Sequence, residues 1–201
     1  RNDLQTILGI DQHRGSKAQF QADTRELVIT SPDGFYARAL VEAGADNPKR
    51  VTIAIPRQDQ SAHAFSASPD AHELVRSGDA LVVMTTIPRD SNEQIAKITL
   101  QLKEADRRRV LHRLAFITGK TMPGLETEQV LAIREALAGM PQFAGAIFRV
   151  YGDEQGGMTA LLAAALEPRF DEAIVNDYFG ASQTAPEQPF DRMLYGQLAL
   201  F

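Results

Sequence analysis

The chain has 201 residues, 44% hydrophobic and 23% charged, which is enough apolar material for one α/β domain with a buried core and too much for a disordered or fibrous chain. With 21 Lys and Arg against 26 Asp and Glu, its formal charge of −5 argues against a nucleic-acid backbone or an anionic membrane as the main partner. Zero cysteines exclude a disulfide scaffold, cysteine-ligated zinc, iron–sulfur clusters and thiol nucleophiles, and no apolar run reaches the roughly 18 to 20 residues that span a bilayer.

Residues 1–25 are polar, with Leu4, Ile7, Leu8 and Ile10 as a short helical stripe, and read as a lead-in to a domain over 26–201. Leu27–Thr30, the turn Ser31-Pro32-Asp33-Gly34 and Phe35–Val41 predict an antiparallel hairpin. Val51–Ile55 is a short apolar strand ended by Pro56. Ser68-Pro69-Asp70 opens a helix, with Ser68 or Asp70 as cap, that stops by Gly78. Ala80–Ile87 is apolar without alternation, as in a strand covered on both faces.

Residues 93–118 carry helical spacing, Met122-Pro123-Gly124 reads as a break, and Glu126–Leu137 is a further helix. Ala146–Tyr151 is then a strand, Gly152–Gly157 a tight turn, Met158–Leu166 an alanine-rich helix, and Ala173–Asp177 one more strand. A hairpin followed by alternating strands and helices implies a mixed sheet whose later strands are parallel and helix-covered.

The glycines at the strand-to-helix turn invite a phosphate reading, which the spacing rejects. Gly152-Asp153-Glu154-Gln155-Gly156-Gly157 has no glycine at the third position of a dinucleotide fingerprint. Gly119-Lys120-Thr121 has no glycine five residues upstream, and Pro123 opposes a helix continuing from it. The four histidines, His13, His63, His72 and His112, show no metal-ligand spacing, so neither a metal nor a cofactor is expected.

The spacing that fits is Gly152-x-Glu154-x-Gly156. A nucleophile elbow needs small residues two before and two after its central residue, because strand and helix approach too closely there for side chains. With the alanine-rich helix, Glu167-Pro168-Arg169 and the next strand, residues 146–180 resemble the elbow region of α/β-hydrolases, especially the acetyl-xylan-esterase-like and dienelactone-hydrolase-like groups. Leu111–Ile133 resembles the helix before the elbow strand in those groups, and the resemblance covers about residues 26–195.

The resemblance implies a three-layer α/β/α sandwich with a mostly parallel sheet and an antiparallel hairpin at its N-terminal edge, here without the last strands. It places Glu154 where the family has serine, and the backbone N–H of Gln155 in one half of the oxyanion hole. The loop with Arg57 and Gln58 falls in the other half, with His63 beyond it. Asp177, at a strand end, is either a migrated triad acid or a carboxylate capping the residues around Gly180. No histidine follows His112, so an ester formed on a Glu154 carboxylate would lack the His-activated water that breaks it.

Two functions follow as expectations. One is a chain related to secreted or periplasmic carboxylic-ester hydrolases of carbohydrate-esterase type, acting on a small-molecule or carbohydrate ester but without a working Ser-His-Asp triad. The other is a non-catalytic module binding a ligand or partner on that scaffold. Self-association, or a second chain completing the sheet, is expected alongside either. Glu154 is expected to serve as a fixed anion at the start of the following helix, where free N–H groups favour an anion by roughly 0.3 to 1 kcal/mol.

Overall fold

The computed structural model of the protein describes residues 2–10, 16–32, 34–43, 47–57, 60–75, 78–85 and 104–176. The two unalternating apolar runs lie side by side inside one seven-stranded sheet, because a strand with no polar face must be covered on both sides. The strands are β1 (Lys17–Gln21), β2 (Glu26–Thr30), β3 (Tyr36–Ala43), β4 (Arg50–Ile55), β5 (Ala80–Met84), β6 (Ile147–Asp153) and β7 (Glu172–Asn176). Their spatial order is β1-β2-β3-β5-β4-β6-β7. Pairings from β1 through β3 to β5 are antiparallel, and those of β4 with β5 and β6, and of β6 with β7, are parallel.

The helices are α1 (Asn2–Leu8), α2 (Ala62–Ser66), α3 (Pro69–Leu74), α4 (Glu104–Ile117), α5 (Met122–Ala138) and α6 (Gln155–Leu166). Alternation along the central strands divides the core. Val51, Ile53 and Ile55 of β4, with Val82 and Met84 of β5, pack under Val130, Ile133 and Leu137 of α5 and Ala160 and Ala163 of α6. Ala54, Leu81, Val83 and Tyr151 face the other way, against Ala62 and Phe65 of α2 and Ala71 of α3. The result is a three-layer α/β/α sandwich with an antiparallel N-terminal side. No helix of the described residues is long and apolar enough to cross a membrane.

Two local readings change. Met122-Pro123-Gly124 is the first turn of α5 rather than a break: Thr121 caps it by accepting from the Gly124 N–H at 3.0 Å, and Pro123 occupies the one helical turn that needs no donor from it. Within residues 1–25, α1 packs against α5 and α6, and Lys17–Gln21 pairs with β2 along its full length. Ser68 does cap α3, accepting from Ala71 N–H at 3.2 Å. The sequence-predicted segments 86–103 and 177–201 lie outside the described residues.

Candidate functional site

The parallel strands β4, β6 and β7 end together, and open α/β sheets bind their ligands beyond such carboxyl ends. β6 passes into α6 through a single residue, Glu154, at φ 49° and ψ −112°. Only one other described non-glycine residue, Arg25, has a positive φ. Such a conformation costs roughly 1 to 3 kcal/mol and persists only where the surroundings enforce it.

The enforcement is visible in the flanking glycines. A Cβ on Gly152 would stand 2.1 Å from the Gly156 carbonyl oxygen, and one on Gly156 would stand 2.5 Å from that of Ile55. The first turn of α6 therefore lies directly on the ends of β6 and β4. The ladder holds the turn from the other side, since Glu154 N–H donates to the Asn176 carbonyl of β7 at 2.9 Å.

This geometry aims Glu154 outward, with its side chain 41% exposed. Arg57, just past the end of β4, reaches its Oε1 with Nη1 at 3.7 Å and reaches Asp153 Oδ2 with Nε at 3.6 Å. Asp153 is almost fully buried and accepts from Asn176 Nδ2 at 3.0 Å. Burial pushes its carboxyl up. The Asn176 hydrogen bond and the Arg57 charge pull it back, while Asp70 of α3 adds to the rise. Tyr151, stacked obliquely on Phe65 at 5.6 Å between centroids, is pushed up to about 12, mainly by burial and then by the Asp153 charge.

Of the residues singled out in the sequence, Glu154 and Arg57 are brought together and Gln155 opens α6 beside them. Gln58 and Asp177 lie outside the described residues. His63 is exposed on α2. Asp153, Asn176 and Tyr151 were not anticipated. Asp153 had a signal, as the residue just before the strained position, but its Asn176 partner is 23 residues away. Among the described residues there is no group of three or more His, Asp or Glu able to hold a metal ion.

No family model and no curated protein sequence matches the chain. Solved structures do. A Bacteroides fragilis protein assigned as an acetyl xylan esterase superposes with a TM-score of 0.66 at 13% identity, over 88% of this chain and 51% of that one. The fold is that of the α/β-hydrolases. An acetyl xylan esterase from Paenibacillus sp. R4 gives 0.51 at 12% identity, covering 95% of this chain and 63% of the other. Dienelactone hydrolase from Anabaena variabilis gives 0.50 at 14%, covering 80% and 62%. The chain thus spans about half to just under two thirds of the length of these hydrolase-fold structures.

Proposed function

We propose that Gly152–Gly157 is a nucleophile elbow whose reactive position carries Glu154. On this reading the chain is a hydrolase-fold module related to carboxylic-ester hydrolases of carbohydrate-esterase type, with a carboxylate standing where the serine of an active relative would stand. The observation that carries the reading is the positive φ of Glu154 between two glycines that backbone contacts leave no room to replace.

The chemistry of the position follows from its partner. A serine at an elbow is useful because a neighbouring base removes its proton as it attacks. Glu154 instead has the Arg57 guanidinium 3.7 Å away, a cation where a serine would need a base. The pair is suited to binding: the resemblance implies oxyanion groups in the loop that holds Arg57, and a guanidinium there suits the carbonyl or carboxylate oxygen of a ligand. A small-molecule or carbohydrate ester as that ligand, and a secreted or periplasmic location, belong to the same proposal.

The test is Glu154→Ser in the full chain, assayed with 4-nitrophenyl acetate beside the unaltered protein. Hydrolysis at the buffer rate for both is the expected result. Turnover well above buffer by Glu154→Ser would reveal a base serving that position and would overturn the non-catalytic reading.

A further inference from the structure

The N-terminal helix is fastened to α6, the helix that follows the turn at Glu154, and to α5 beside it. Leu8, fully buried, packs with Met158 and Leu166 of α6. Gly9 ends α1 at φ 67°, and a Cβ there would stand 2.3 Å from the Gly119 carbonyl oxygen; a Cβ on Gly124 would stand 2.0 Å from that of Leu8. The Leu8–Gly9 backbone therefore lies flat on the α4–α5 junction.

The carbonyls of Leu8, the last residue of α1, and of Gly9 just past it are taken by two side chains of Gly119-Lys120-Thr121, the tripeptide whose phosphate reading the sequence rejects. Thr121 Oγ1 donates to the Leu8 carbonyl at 3.2 Å while accepting from Gly124 N–H. Lys120 Nζ donates to the Gly9 carbonyl at 3.2 Å and to buried Glu128 at 2.8 Å, placing a cation at the helix terminus that favours one. One residue beyond Met158, Thr159 Oγ1 donates to Glu126 of α5 at 3.1 Å inside the protein.

We infer that α1 is a clasp that positions the first turns of α6, and through them the strained Glu154, with Lys120 and Thr121 as positioning residues. The strained conformation persists only while the start of α6 is held against Ile55 and Gly152. Leu8 packs with Met158, at the end of the first turn of α6, and with Leu166 at the far end of that helix, and the Lys120–Thr121 pair fixes where Leu8 sits. The inference concerns the geometry of the turn and does not depend on its being an elbow.

The experiment is amide hydrogen exchange on the full chain, comparing the unaltered protein with Lys120→Met, Leu8→Ala and Lys120→Arg. Exchange at Gly156–Ala160 is expected to rise about tenfold or more in Lys120→Met and Leu8→Ala, with the β2–β3 ladder unchanged, because the opening is local. Lys120→Arg, which keeps the cation, is expected to keep protection. Unchanged exchange at Gly156–Ala160, or an equal rise in the β2–β3 ladder, would overturn the inference, the second because it would mark a merely global loss of stability. Turnover by Glu154→Ser would contradict the proposed function and leave this result untouched.

Discussion

Arg57 bridges two adjacent carboxylates of opposite character, buried Asp153 at 3.6 Å and half-open Glu154 at 3.7 Å. Adjacent residues of a strand point to opposite sides, so this arrangement exists only because the chain turns sharply at Glu154. The guanidinium lies within ion-pair distance of both carboxylates. Its worth to stability is small, since both Arg57 and Glu154 are more than a third exposed.

Strain at Glu154 separates two truncations. Glu154→Ala and Glu154→Gly both remove the carboxylate, but only glycine adopts a positive φ freely. Glu154→Gly is expected to be more stable than Glu154→Ala by about 1 kcal/mol in urea denaturation. Equal stabilities would mean that the turn is not strained.

Gly152→Ala and Gly156→Ala force a Cβ against backbone at 2.1 and 2.5 Å, where no side chain can yield. Each is expected to cost about 3 kcal/mol or more. Gly139→Ala is the control, because its nearest contacts are 3.5 and 3.7 Å and its φ is −80°. It should lie within about 0.5 kcal/mol of the unaltered protein.

The raised Asp153 carboxyl sets a pH dependence. The folded chain holds that proton more tightly than the unfolded chain, so Asp153 favours folding below the ordinary carboxyl range and loses this contribution as pH rises through the raised value. Asp153→Asn stays neutral throughout. Relative to the unaltered protein it should gain stability as pH rises above the ordinary carboxyl range and through the raised value, by denaturant midpoint at each pH. A constant difference would show that burial does not dominate at Asp153.

Glu167 has the opposite sign. Hydrogen bonds from Arg169, at 2.6 and 2.7 Å from its side chain and 2.9 Å from its backbone, pull its carboxyl down to about 2. Its contribution is complete above the ordinary value of 4.5 and is lost as pH falls toward about 2. Glu167→Gln should be less stable at neutral pH by about 1 kcal/mol, because Arg169 is largely exposed, and level with the unaltered protein at the acid end.

What the sequence discloses and what it hides divide along physical lines. The hairpin, the cap at Ser68 and the unalternating β4 and β5 are written locally, in turn residues and in the lack of a polar face. The turn around Glu154 is legible for the same reason, since close backbone approach demands glycine at fixed offsets. β1 left no signal, because every residue of Lys17–Gln21 is exposed and no alternation marks a buried face. Pro123 misled, because proline both ends helices and opens them, and only the Thr121 cap distinguishes the two. The Asp153–Asn176 and Arg57 contacts arise from the adjacency of β4, β6 and β7, a property of topology rather than of any local pattern.

On the proposed function, the elbow position of this hydrolase-fold chain carries a carboxylate and no serine nucleophile. Incubating the full chain with a fluorophosphonate probe and measuring the adduct by intact mass tests it most directly. The account predicts no labelling; stoichiometric labelling at any serine would contradict it.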